Sequence, residues 1–538
     1  MNDSVGAIRH PTARPSGSPR AFLIPACDSI GALWRHRLAG AAFGVVLAVV
    51  SGVAIAALMP RGPVTTGQAI GVILVGFGLG FVAGGAMQSR WAILLAPAVQ
   101  LAAFEVARAG TPGPTVSAIH LDSVFGILAF ISGRGSYALL ALAPIMLGAA
   151  YGAALVRRFR APADPVRQHA RTKPHYVRRG TTWLLTAGML GLVALIAIPA
   201  STPPILGPDG KALAGSVTAL QKVSVGGHDE WLMIHGYNAK NPVLLYLSGG
   251  PGQSDIAFAR GLYDNLSKVV TFVAFDQRGT GKSYASLDPT TLTLDRAVAD
   301  VTEVTNYLRQ RFQQQKIYVI GESWGTVLGV LAVQRHPELY YAYLGSGQMV
   351  DLLETDTRIN HDVLAAAEKS GDSALAAKVK SLGAPPYKDP MAYAYMMQQY
   401  PLIETSYESP AAFEAMASKV PAGMSPFPGI LGSEYNLMDK IGDVRGLIDM
   451  FATMYPQLQG IDFRKTATNL QVPIYLLEGK HELAGRLDLA VEWYGQLQAP
   501  TKQLYMFEDA GHSVMMEELQ PLQSMMTDTV LPQSYPGR

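Results

Sequence analysis

The sequence predicts an α/β catalytic domain that follows an all-α membrane region. Three observations carry that prediction. Long apolar, Gly/Ala-rich stretches crowd roughly the first two hundred residues. Short β-branched runs ending in glycine-rich turns recur after Val217. A Gly-x-Ser-x-Gly pentapeptide stands where one such run gives way to a helical pattern.

The bulk composition narrows the function classes. A chain of 538 residues with a net charge of +2 offers no excess of basic groups for nucleic acid and no field that selects an acidic substrate. Cys27 is the sole cysteine, so an internal disulfide scaffold is excluded.

The apolar stretches run from about Leu38 to Met59, Gly67 to Met87, Trp91 to Ala107, Tyr137 to Val156 and Thr182 to Pro199. Each is near the ~20 residues that a helix needs to cross a bilayer. The third is the weakest, because Glu105 and Arg108 lie at its end, and a further run from Val124 to Ile131 is too short to span alone. Several spans after the first argue against a cleaved signal peptide. Basic residues cluster before the first span (Arg9, Arg14, Arg20, Arg35, Arg37) and between Arg157 and Arg179. Five spans then leave the N-terminus cytoplasmic and everything after Pro199 on the extracytoplasmic side. The expected divisions are a tail (1–37), a transmembrane region of about five helices (38–199), a linker (200–216) and an α/β part from 217 onward.

The chemistry lies in the later part. The run Lys316–Ile320 enters Gly321-Glu322-Ser323-Trp324-Gly325, and a Gly/Ala/Leu-rich helical pattern follows. Strand, sharp turn and helix make a nucleophile elbow, with side chains excluded at both glycines. A serine hydroxyl needs a base to take its proton. His512, in a Gly-His loop after the run Gln503–Phe507, fits; His336 and His361 lie in polar surroundings, and His481 reads as a loop residue. Between nucleophile and base, Glu482 follows the strand that ends at Gly479, where it can hold the histidine tautomer. Asp488 competes for that role but falls in the next helical stretch. The strand Pro242–Leu247 ends in Ser248-Gly-Gly-Pro-Gly252, whose backbone N–H groups, joined by that of Trp324, can form an oxyanion hole. Asp276-Gln-Arg-Gly-Thr-Gly-Lys-Ser283 superficially suggests a phosphate loop, yet an aspartate stands where a Walker motif needs glycine. It reads instead as a strand-end loop bracing the glycine-rich turn.

Together the turn, the Asp-Gln-Arg-Gly loop and the Gly-x-Ser-Trp-Gly elbow resemble the proline iminopeptidase branch of the α/β-hydrolases, from about Val217 onward. The resemblance implies an α/β-hydrolase fold with a first core segment (217–349), a helical cap (350–439) and a second core segment (440–538), a triad of Ser323, Glu482 and His512, and oxyanion N–H groups from Gly250 and Trp324. Two departures stand out: Ser248 replaces the usual histidine, and Glu482 the usual aspartate. In that branch, cap carboxylates hold the substrate's amino terminus, which nominates Asp351 and Glu354, with Asp356 beside them. Acids at a helix start also serve simply to favour its dipole.

The expectation is therefore a multi-pass membrane protein whose domain hydrolyses short peptides through an acyl-enzyme, without metal or organic cofactor. Its partners are a small peptide or ester substrate and the lipid bilayer, with no nucleic acid. The alternatives are a carboxylesterase acting on small or lipid-like acyl esters, and a catalytically silent sensor or binding protein.

Overall fold

A computed structural model describes residues 37–117, 119–160, 174–408, 410–411 and 432–536. Most of the expected N-terminal tail and of the basic loop after Arg157 lies outside the described residues.

Five apolar helices come first: α1 (Arg37–Leu58), α2 (Thr66–Met87), α3 (Ala92–Ala107), α4 (Val124–Phe159) and α5 (Pro174–Ala197). By length and composition, stretches of α1, α2, α4 and α5 suffice to cross a membrane. Helix α3 has 16 residues. It spans about 24 Å, short of a hydrocarbon core of about 30 Å. The run Val124–Ile131, too short to span alone, is the opening of α4. Ser123 Oγ accepts from the Gly126 N–H at 3.1 Å and starts the helix. Two π-helical segments, Ile131–Gly135 and Ala138–Leu142, then carry it through Gly-Arg-Gly without a break.

The chain divides into two compact units. One holds Met1–Ala54, Leu74–Phe104 and Leu142–Leu185. Glycines let its helices meet. A Cβ on Gly80 would stand 2.0 Å from the Ile145 carbonyl oxygen, and one on Gly84 2.2 Å from that of Ala149. Gly148 and Gly152 return the contact against Phe77 and Phe81. Small residues four apart permit this close backbone approach between helices.

The other unit joins Ile55–Ile73 and Glu105–Ala141 to Thr186–Arg538. Its centre is an eight-stranded sheet: β1 (Val217–Val225), β2 (His228–Gly236), β3 (Val243–Leu247), β4 (Thr271–Asp276), β5 (Ile317–Glu322), β6 (Tyr340–Ser346), β7 (Ile474–Gly479) and β8 (Lys502–Phe507). The spatial order is β1-β2-β4-β3-β5-β6-β7-β8. The β1–β2 and β2–β4 pairs are antiparallel and all others parallel.

Central strands are buried on both faces, which is why they read as continuous apolar runs. Alternation still sorts their side chains. Val243, Leu245 and Leu247 join one core layer with Val301 and Leu308 of α6 (Leu294–Phe312) and Val327 and Leu328 of α7 (Trp324–Arg335). Leu244 and Tyr246 face the opposite layer, with Ile256, Leu522 and Val530.

The insertion between β6 and β7 opens with α8 (Leu352–Ser370). Helix α9 (Leu437–Met454) crosses the expected boundary at 439, because its capping box begins earlier. Asn436 Oδ1 accepts from the Asp439 N–H at 2.9 Å, and Asp439 accepts in return from the Asn436 N–H at 3.0 Å. Helix α10 (Ala484–Gln496) follows β7.

Candidate active site

Ser323 sits between β5 and α7 with φ +51° and ψ −117°. A non-glycine residue adopts such a conformation only where its surroundings enforce it. Here they do. A Cβ on Gly325 would come within 2.0 Å of the Leu247 carbonyl oxygen, and one on Gly321 within 2.3 Å of that of Gly325. Strand, elbow and helix are thus too close for any side chain at either position.

The end of β6 brings the base to this turn. The Ser323 N–H donates to the Ser346 carbonyl at 2.9 Å. The adjoining Gly347, at φ +59°, lies against the His512 ring, where a Cβ would meet Cε1 and Nδ1 at 3.0 Å. Ser323 Oγ is directed at Met349 Sδ, 3.8 Å away, and makes no hydrogen bond to His512. Nucleophile–base bonds are often long before substrate arrives and tighten on binding.

His512 Nδ1 is hydrogen-bonded to Glu482 Oε2. The carboxylate is buried; its Oε1 accepts from the Leu483 N–H at 2.7 Å and faces Arg486 Nη1 at 3.5 Å. Burial alone would raise its pKa, but the imidazole and the Arg486 guanidinium hold it down at about 2. Arg486 was absent from the sequence reading, although its i, i+4 spacing from Glu482 was a usable signal. Asp488 is on α10, exposed, 3.4 Å from Arg358, and takes no part in this pair.

The glycine-rich turn lies alongside. A Cβ on Gly249 would be 3.3 Å from that of Ser323, so the Gly249–Gly250 peptide borders the elbow. Trp324 opens α7, where a first-turn N–H has no intrahelical acceptor. Gln277 ties these parts together. It donates to the Ser248 carbonyl at 3.1 Å and accepts from the Trp324 indole at 2.8 Å. Asp276 accepts from Ser254 Oγ at 2.7 Å and the Lys282 N–H at 2.8 Å, folding the loop back on itself. The Asp276–Ser283 segment therefore braces the turn.

Behind the elbow, the Tyr246 hydroxyl lies 2.6 Å from both Glu322 Oε2 and Asp255 Oδ2. One phenolic proton serves only one acceptor, so a carboxyl must supply the other. Burial, followed by the charge of Asp255, pushes Glu322 up to about 7. A carboxyl whose pKa is raised in the folded state loses stability as pH climbs from its unfolded value towards the folded one. Glu322→Gln is accordingly expected to raise stability at neutral pH by up to about 3 kcal/mol. The gain should be absent near pH 4, grow until about pH 7 and then level off. Urea unfolding at four pH values checks this; a pH-independent difference would rule it out.

Asp351 and Glu354 are both engaged by arginine side chains. Asp351 caps α8, accepting from the Glu354 N–H at 2.9 Å, and pairs with Arg464 at 2.8 Å. Glu354 pairs with the same guanidinium at 2.6 Å and with Arg358. Asp356 is buried, accepting from Tyr455 at 2.9 Å and Gln459 at 2.8 Å. Local sequence could not reveal that Arg464, more than a hundred residues on, neutralises the first two.

The alpha/beta hydrolase fold family matches residues 242–354. A probable aminopeptidase, YbaC, of Bacillus subtilis is 27% identical over 304 residues, covering 56% of this chain and 93% of that protein. The proline iminopeptidase of Neisseria gonorrhoeae is 36% identical over 98 residues, 18% of this chain and 29% of that one. The crystal structure of a proline iminopeptidase-related protein from Thermus thermophilus aligns with 60% of this chain and 99% of its own, at 20% identity and a TM-score of 0.41. By its sheet order, its elbow and these sequence matches, the chain has the α/β-hydrolase fold, is a hydrolase, and is similar to proline iminopeptidases.

Proposed function

We propose that this chain is a membrane-anchored serine hydrolase, an aminopeptidase acting on short peptides through an acyl-enzyme. The observation that carries the mechanism is the buried Glu482 carboxylate fixing His512 beside a strained Ser323. In the reaction, Ser323 Oγ attacks the scissile carbonyl while His512 Nε2 takes its proton. The N–H groups of Gly250 and Trp324 hold the oxyanion. His512 then gives the proton to the departing amine, and water, deprotonated by the same ring, releases the acyl group and restores Ser323. Similarity to an aminopeptidase over nearly all of that relative's length supports a peptide substrate.

One observation favours the ester reading. The cap carboxylates that would grip a substrate amine, Asp351 and Glu354, are occupied by Arg464. Assaying the full chain in detergent with a prolyl anilide and a short acyl ester separates the two. Turnover of the ester alone would refute the peptidase assignment.

The helices anchor the enzyme, and orientation turns on α3. If it crosses, five spans put the domain after Pro199 outside the cytoplasm. External protease on intact cells should then cut within that domain, whereas four crossings would protect it.

A further inference from the structure

Helix α9 is held from both ends of a mechanical chain. One end is the site: a Cβ on Gly252, the last residue of the glycine-rich turn, would stand 2.6 Å from the Gly446 carbonyl oxygen. Gly446 and Gly442 likewise press on the Asp-Gln-Arg-Gly loop, at the carbonyls of Gly279 (2.7 Å) and Gly281 (2.6 Å). Any shift of α9 is therefore felt by the turn that carries Gly250, because backbone meets backbone with no side chain to absorb it.

The other end is the pair of segments, Ile55–Ile73 and Glu105–Ala141, that link the apolar helices and share the hydrolase's compact unit. Two ionisable groups of α9, both 0% exposed, are satisfied chiefly from there. Arg445 donates to the carbonyls of Ser132 (2.9 Å) and Pro63 (3.0 Å) and to Ser136 Oγ (2.6 Å). Asp449 accepts from the Thr115 N–H (3.0 Å) and Oγ1 (2.5 Å), from Arg61 (3.3 Å) and from Tyr284, the residue that follows the Asp-Gln-Arg-Gly loop (2.8 Å). An apolar cluster of Ala69, Ile73, Leu140, Ile196 and Met438 continues the contact at the start of α9. A buried carboxylate and guanidinium persist only where such partners surround them. Plain tethering of a domain requires none of this.

We propose that Arg445 and Asp449 are positioning residues through which the segments between the apolar helices set the geometry of the oxyanion turn, so that these segments act as part of the catalytic support. The inference rests on Ser323 being the nucleophile. Its signature is a change in the chemical step with binding unaffected, since α9 backs the turn.

The test uses the full chain in detergent and a fluorophosphonate probe, whose reaction with Ser323 needs the oxyanion turn but no substrate side chain. Thr115→Val keeps the shape and removes one hydrogen bond to a buried charge. It should lower the maximal labelling rate roughly tenfold, with the half-saturating probe concentration within about twofold and the thermal transition retained. Thr115→Ser, which keeps the hydroxyl, should restore the rate. Arg61→Gln, at the rim of the same clamp, should act in the same direction. A folded Thr115→Val or Arg61→Gln protein that labels like the parent overturns the proposal, as does a change confined to the half-saturating concentration. Loss of fold in both variants also overturns it, since the clamp would then hold the domain together without tuning the turn. Ser323→Ala run alongside separates the two readings: if it labels like the parent, the nucleophile assignment fails whatever the clamp variants do.

Discussion

Ser323→Ala is expected to lower turnover of any substrate by about 10⁴- to 10⁶-fold and to abolish fluorophosphonate labelling, with the fold intact. The hydroxyl holds nothing else in place by hydrogen bonding; its one such neighbour among the described residues is the Met349 sulfur at 3.8 Å. Its backbone is locked by Gly321 and Gly325, whose neighbours leave no room for a Cβ, and alanine inherits that conformation. Activity should therefore vanish without a fall in thermal stability. The residual rate reflects what the oxyanion donors and the orientation of bound substrate supply without a nucleophile. A loss of less than tenfold, measured on protein with a parent-like unfolding transition, would mean that the bond is broken elsewhere. A parent that never labels, though folded, would favour a ligand-binding protein without catalysis.

Glu482→Gln should cost about 10³- to 10⁴-fold in kcat with KM little changed. The carboxylate is ionised well below neutrality because His512 and Arg486 both favour its charge. In the proposed mechanism it orients the ring through Nδ1 and stabilises the imidazolium that forms when Ser323 is deprotonated. The amide keeps the size but loses the charge, and it leaves the buried Arg486 without its carboxylate partner. Some loss of stability is expected in addition, because an uncompensated buried cation is costly. Asp488→Asn serves as the contrast. That side chain is exposed and touches Arg358, so kcat should stay within about twofold. Equal losses in the two variants would remove Glu482 from its assigned place.

Much of this was legible in the chain because the chemistry is local there. A strand that must be buried on both faces can be built only of apolar residues, so β3, β4, β5 and β7 announced themselves as short runs. The elbow demands two glycines around its serine, and the structure gives the steric reason at both. Glu482 is singled out by its place just after β7, ahead of the helix that claims Asp488, and the structure pairs it with His512. The apolar helices needed only length and composition.

What lay beyond reach depends on partners distant in sequence. Asp351 and Glu354 look free at the start of α8, and only folding shows Arg464 between them. The Tyr246 bridge joins the end of one strand to the elbow of another. The continuity of α4 rests on π-helical hydrogen bonding, which no periodicity rule anticipates across Gly-Arg-Gly. The sequence by itself determined the class of fold, the residue types at the reacting centre and the apolar character of the first helices, since each follows from backbone sterics or burial along a single segment. Tertiary structure alone decided which buried charges neutralise one another, and that α9 is gripped by segments some three hundred residues earlier. Electrostatic pairing acts through space, and chain order carries no record of it.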